Sequence, residues 1–169
     1  PATNFTGVDT IVYEVCDAGT PTPNECVNDT LFITVTPVND PPSQGNETAS
    51  TTEDTPVTSP SLVANNIDPD GTATTVNAIV SSTGGGTQTI SGGGTTIDYT
   101  PATNFTGVDT IIYQVCDAGT PTPNECVNDT LFITVTPVND PPSQGNETAS
   151  TTEDTPVTSP SLVANNIDP

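Results

Sequence analysis

The feature that most constrains this chain is that it copies itself. Residues 1–69 lie on residues 101–169 without a gap, and the two segments differ at only two positions, Val12 against Ile112 and Glu14 against Gln114. A period of 100 residues is too long for a solenoid unit of about 20–50 residues. It is an ordinary length for a two-sheet β-sandwich of about 100 residues. The chain is therefore expected to hold one complete unit, residues 41–140. Residues 1–40 form the C-terminal part of a preceding unit, and residues 141–169 the N-terminal part of a following one. Neither flanking piece carries a full set of strands. Because an isolated hairpin is only marginally stable in water, the natural polypeptide is expected to extend at both ends.

Within the unit, short alternating segments separated by turn residues predict strands. Glu47–Thr52 is a first strand, Val57–Ala64 a second strand or short turn, and Thr75–Ser81 a third. Gly84–Gly86 and Gly92–Gly94 bracket Thr87–Ser91, and Thr95–Thr100 follows. The clearest strands are Asp109–Cys116 and Cys126–Val135. In the first, Ile111, Tyr113 and Val115 share one face, and Ile112, Gln114 and Cys116 the other. Both positions that differ between copies fall on the second face. Substitutions are tolerated where packing does not decide, so the Ile111 face is the buried one. In the second strand, Val127, Leu131, Ile133 and Val135 share a face, and Tyr99, Phe105, Tyr113 and Phe132 are the large side chains available to the core. No segment has a helical period. The fold class is all-β, a sandwich with Greek-key connections.

The chain carries 21 acidic residues and no Lys, Arg or His, a formal charge of −21. No side-chain salt bridge can form, and the charge is balanced by solvent cations or bound metal. Such a chain repels nucleic acid and anionic membranes. An acidic chain rich in Thr, Pro and Gly can also be disordered, but the alternating strands argue against that. Cys16 and Cys26, and again Cys116 and Cys126, recur at one spacing, which suggests one disulfide per unit in an oxidising compartment. The alternative is free cysteines or a metal pair, although two Cys without His make a poor zinc site. Their outward-facing side chains suit a bridge across a hairpin. With no basic side chain and no aromatic cleft for a sugar, the chain is read as non-enzymatic. The triple-Gly runs lack the Lys and helix of a phosphate loop, and a Lys–Asn isopeptide crosslink is excluded.

Four segments carry a resemblance: the linker Thr136-Pro137-Val138-Asn139-Asp140-Pro141-Pro142, the turn Thr52-Glu53-Asp54-Thr55-Pro56-Val57-Thr58, the loop Asn65-Asn66-Ile67-Asp68-Pro69-Asp70-Gly71, and the stretch Asn104–Tyr113. Together they resemble bacterial cadherin-like tandem repeats of giant surface adhesins. The hairpin Cys116–Cys126 is most similar to the SprB-type gliding-motility adhesins of the Bacteroidota. The resemblance implies tandem Ig/cadherin-like repeats outside the cell, on a filament at its surface. It also implies the neighbouring repeats of the same chain as partners, and no direct membrane insertion. The expected role is a structural spacer that projects adhesive elements. The alternative is a repeat that itself binds polysaccharide or substratum by avidity.

Calcium between repeats is the sharpest chemical expectation, since Ca²⁺ takes six to eight oxygen ligands. Sandwich topology places Asp68 and Asp70 against the linker Asn39-Asp40 and Asp9. It gathers Glu53, Asp54, Asp109, Asn139, Asp140 and Asp168 at the next junction. The fuller cadherin linker motif is reduced here to Asn-Asp, and its acidic motif before the penultimate strand is replaced by Asn104–Asp109. The alternative is that Asp68–Gly71 is simply a turn and Asn-Asp-Pro-Pro only ends a strand. Glycosylation is a second expectation. Asn4, Asn28, Asn46, Asn104, Asn128 and Asn146 head N-linked sequons. Thr10, Thr30, Thr110 and Thr130 fit the Asp-Thr-apolar pattern that resembles Bacteroidota O-glycosylation. These Thr residues equally suit an exposed strand face.

Overall fold

The computed structural model describes residues 1–19, 22–119, 121–163 and 166, and among these residues there is no helix. Nine strands form: β1 (Gly7–Cys16), β2 (Cys26–Val35), β3 (Asn46–Thr52), β4 (Val57–Thr58), β5 (Thr75–Ser82), β6 (Thr87–Ser91), β7 (Thr96–Thr100), β8 (Gly107–Cys116) and β9 (Cys126–Thr136). β3 to β9 build a two-sheet sandwich. One sheet has the order β3-β9-β8-β5 and the other β4-β7-β6. β3 runs parallel to β9, whereas β9–β8 and β8–β5 are antiparallel.

The core follows from the period-2 alternation of strands. Ile111 stands opposite Leu131 in register. With Tyr113, Val115, Ile133 and Val135 they form one wall, and Ile97 and Tyr99 of β7 form the other. Two bulges shift the register of β5, between Val76 and Ala78 and between Ile79 and Ser81. They let Val76 and Ile79, three positions apart, both pack on the core. Phe105 packs partly buried against this core. Phe132 does not join it: the same alternation that turns Leu131 and Ile133 inward leaves Phe132 half-buried on the opposite face.

The expected second strand shrinks to β4. Pro60 has no N–H to give to a ladder. Beyond β4 the chain is tied by single bonds, Ser59 N–H to Ile97 O (2.9 Å) before the proline and Leu62 N–H to Thr95 O (2.8 Å) after it, and Leu62 is fully buried in the core. In the triple-Gly turn after β5, Gly84 and Gly86 are required for space. A Cβ on Gly84 would lie 2.6 Å from Cγ of Asp109, and one on Gly86 2.6 Å from the Tyr99 ring.

Residues 1–35 repeat the β8–β9 hairpin in the same register, from Gly7↔Val35 to Cys16↔Cys26. Without β3 and β5 beside them and a second sheet above, Tyr13 and Leu31 are 44% and 48% exposed, where Tyr113 and Leu131 are 0%. Both cysteine pairs are bridged, Cys16–Cys26 and Cys116–Cys126. Cys116 is buried although it is not part of the core cluster. It sits on an interior strand, with Thr75 in register on one side and Cys126 on the other.

Candidate metal centre at the repeat junction

The linker that enters the sandwich is drawn into a closed ring of hydrogen bonds. Asn39, buried, donates from Nδ2 to Oδ2 of buried Asp117 at 2.8 Å. The backbone N–H of Asp40 donates to Oδ2 of Asp70 at 2.7 Å. The N–H of Asp70 donates to Oδ1 of buried Asp68 at 2.9 Å, and the N–H of Thr72 to its Oδ2 at 2.9 Å. The Thr72 hydroxyl also donates to Asp68 and accepts from Ala118 N–H at 3.3 Å, which returns the ring to Asp117. Asp117 is itself fixed, because its Oδ1 accepts from Gly119 N–H (2.6 Å) and Glu125 N–H (3.1 Å).

Local sequence explains each placement. Asp68-Pro69-Asp70-Gly71 closes as a turn, with Gly71 N–H donating to Asp68 O at 3.0 Å and Gly71 at φ 76°. The Asp68 carboxylate folds over that turn as an Asx cap. Asp117 does the same for the hairpin loop. The linker lies between the two loops.

Four carboxylates, from Asp40, Asp68, Asp70 and Asp117, thus gather at one end of the sandwich, in a chain with no basic side chain. Burial acts to raise the pKa of Asp68. The Thr72 hydroxyl and the N–H groups of Asp70 and Thr72 together outweigh it and hold the group below the ordinary carboxylate value. Asp68 is therefore ionised at neutral pH. Oδ1 of Asn39 is shielded from solvent and has no hydrogen-bond partner, a state that costs about 1–3 kcal/mol in a buried polar group. An all-oxygen donor set with an orphaned amide oxygen fits a hard divalent cation such as Ca²⁺.

Of the residues expected at this junction, Asn39, Asp40, Asp68 and Asp70 come together. Asp9 does not. It is exposed and its Oδ1 accepts from the N–H of Thr10. The preceding hairpin reaches the junction instead through Asn4, Phe5 and Thr6, which line a cleft with Val38, Asp40 and Asp70. Asp117 was not anticipated from the sequence. Its signal was available: an Asp two residues before Gly, at the end of a strand, with an acceptor side chain suited to close the turn.

The expected second group is dispersed. Glu53 is buried and accepts from Val138 N–H at 2.5 Å, and Asp54 accepts from Asn104 N–H at 3.2 Å. Asp109 lies wholly inside the sandwich, where its Oδ1 accepts from Thr83 N–H (3.0 Å) and Gly84 N–H (2.7 Å). Asn139 is exposed, and its Nδ2 reaches Asp140 O at 3.5 Å. Asp168 lies outside the described residues. The one acid–cysteine cluster among the described residues, Glu14 with Cys16 and Cys26, has both sulfurs committed to a disulfide.

The sequon residues Asn4, Asn28, Asn46, Asn104, Asn128 and Asn146 are all exposed. Thr10 and Thr30 are exposed, while Thr110 and Thr130 are half-buried. No helix among the described residues is long and apolar enough to cross a membrane.

A two-sheet sandwich of this strand order, entered through an Asn-Asp linker held by the Asp68–Gly71 turn and the β8–β9 loop, defines an Ig-like module. The chain belongs to the bacterial Ig domain family, whose sequence pattern matches residues 39–135, from the linker asparagine to the penultimate residue of β9. Among solved structures it is similar to protocadherin gammaB7 EC3-6, described as a cis-dimer. The TM-score is 0.57 at 17% identity, over 87% of this chain and 37% of that one. That likeness is one of fold. No curated protein matches the chain in sequence.

Proposed function

We propose that this chain is a run of non-catalytic spacer repeats from a long adhesin on the cell surface, stiffened at each junction by Ca²⁺, and that the filament serves attachment or gliding. The observation that carries the reading is the junction itself. Asn39 and Asp117 are 78 residues apart in sequence and meet in a buried hydrogen bond, so the linker is part of the sandwich and not a flexible tether.

On this reading each junction of the chain contributes part of a site. The first offers Asn39, Asp40, Asp68, Asp70 and Asp117. The second contributes Glu53 and Asp140, while Asp54 and Asn139 are exposed. Superposing them by the 100-residue repeat unites buried Glu53 and the linker carboxylate with counterparts of Asp68, Asp70 and Asp117, a donor set within the range Ca²⁺ accepts. Bound there, the ion would neutralise the carboxylates and lock the angle between neighbours. Neighbouring repeats are the partners this reading requires, and the extracellular setting agrees with both disulfides. The Asp-Thr-apolar and sequon positions are carried forward as candidate glycosylation sites, to be read from the intact mass of native material.

Calcium titration followed by thermal melting and small-angle scattering tests the proposal. A rise in melting temperature at millimolar Ca²⁺, lost in Asp70→Asn with Asp117→Asn, is expected. A melting curve and scattering profile indifferent to Ca²⁺ would refute the junction site.

A further inference from the structure

An edge strand offers unpaired N–H and C=O groups to any strand that approaches it. The edges of the sandwich are β3 and β5 in one sheet and β4 and β6 in the other. Three of them carry a device against pairing. β3 holds Glu47, a charged residue that is buried, and inward charge blunts an edge. β4 is two residues long and lies between Pro56 and Pro60. β5 is kinked by its two bulges. β6 has no charged residue and no proline, and its register against β7 is unbroken from Thr87↔Thr100 to Ser91↔Thr96.

Charge singles out the same edge. The chain carries 21 acidic residues, yet none falls between Asp70 and Asp98, and no other acid-free stretch is half as long. That stretch forms β5, β6 and both triple-Gly turns. Apolar surface is left open within it. Ile90 stands in register with Ile97, so both point to the core side of the sheet. Ile97 is 0% exposed and Ile90 37%, because no strand lies beyond β6. Val80 of β5 is exposed as well.

We propose that β6 is a docking edge for a second copy of the unit. The two β6 strands pair antiparallel about a two-fold axis at Thr89 and join their sheets into one continuous sheet. The partner is a second copy because this edge is where two chains of such high like charge can approach, whereas a cationic partner is drawn to the acidic loops. The edge is also self-complementary. About Thr89 all of Thr87–Ser91 finds a partner, Thr87 with Ser91 and Gln88 with Ile90, which covers the open isoleucine. The one acid of β7 is Asp98, in register with Thr89. Across the pair the two Asp98 residues stand three strand spacings apart, about 14 Å, beyond a screening length of about 8 Å at physiological salt. The contact is isologous and closes at two copies per edge. One short edge binds weakly, and successive units along an array would add avidity. The pairing is independent of the calcium reading, since it lies on the side of the sandwich and not at its end.

The test uses the full chain with its disulfides intact, in sedimentation equilibrium across a hundred-fold concentration range, at about 0.15 M salt to limit repulsion and with EDTA so that no cation bridges the acids. The expected result is a monomer–dimer equilibrium that goes no further. Thr89→Lys sets a cation opposite Asp98, which suits the folded sheet, but brings two like charges together at the axis. It should keep the melting temperature and weaken the dimer about ten-fold or more. Thr89→Cys should give a disulfide-linked dimer on air oxidation, and Thr134→Cys, exposed on the other sheet, should not. A monomer at all concentrations overturns the proposal. So does equal cross-linking at both cysteines. A dimer that survives Thr89→Lys and is lost in Leu31→Asp also overturns it, because that pattern marks the exposed face of the first hairpin as the contact.

Discussion

Replacing Cys116 and Cys126 together by Ala is expected to destabilise the sandwich by about 2.7 kcal/mol. The two residues are separated by 10 positions. For a loop of that length the chain-entropy relation gives about −9 cal/mol/K, hence about 2.7 kcal/mol at 25 °C. With an unfolding entropy of about 2.1 cal/mol/K per residue, a sandwich of about 100 residues loses roughly 13 °C in melting temperature. The native loop does not depend on the bridge for its shape. Asp117 N–H donates to Glu125 O at 3.1 Å, and the Asp117 carboxylate ties Gly119 and Glu125 from within. The bridge therefore acts on the unfolded chain. Urea titration of the double variant should show a lower midpoint, while the amides of Asp117, Gly119 and Glu125 stay protected from hydrogen exchange. Cys16–Cys26 remains in place, so the effect is confined to the sandwich. A loss below about 1 kcal/mol, or a loop that opens in the native state, would refute this account and make the bridge a brace of the folded loop.

Three further perturbations address the interior. Leu62→Ala removes a fully buried side chain that no strand ladder holds, and should cost about 2.7–5 kcal/mol in urea denaturation. Asp109→Ala strips acceptors from Thr83 and Gly84 inside the sandwich and should cost about 3 kcal/mol or more, read in the same assay. The pKa of Glu47 is raised, by burial first and by Asp129 in addition. A raised folded pKa means that its contribution is fully present below the unfolded value near 4.5 and is lost as pH rises through the folded one. Glu47→Gln should therefore raise the melting temperature at pH 7 and leave it unchanged near pH 3.5. Equal shifts at both values would contradict the burial argument.

Alternation made the best-packed part of the fold legible. Ile111, Tyr113 and Val115 faced inward as read, because neighbours two apart share a face whatever the distant chain does. The same rule, applied one step further, locates Asp109: it continues the buried face of β8, and Asp129 continues that of β9. Assigning Asp109 to the junction overlooked this in favour of its charge. Leu62 and Asp117 were harder to place. Their partners lie far along the chain, at Thr95 and Asn39, and no local period signals a loop residue held by a remote one. The junction was half legible for the same reason. Turn chemistry marks Asp68-Pro69-Asp70-Gly71, whereas the path of the linker between two loops is a property of the assembled sandwich.

The buried acids show how a chain without a single basic side chain folds at all. Asp68, Asp109, Asp117, Asp129 and Glu53 are each buried, and each is met by backbone N–H groups. Asp129 takes those of Gly45 and Thr130, as Asp109 takes those of Thr83 and Gly84. Hydrogen bonds to a charged acceptor are worth about 1.5–3 kcal/mol each, enough to offset much of the desolvation that an ion pair would otherwise have to cover. Most donors come from loops and linkers, whose N–H groups no ladder uses, so these acids fix the segments that neutralise them. This arrangement works inside one unit. At the junction, four carboxylates share one mouth and the local N–H groups are already used. On the proposed reading, the charge left at the junction is met by a cation from outside the chain, which the sandwich interior does not need.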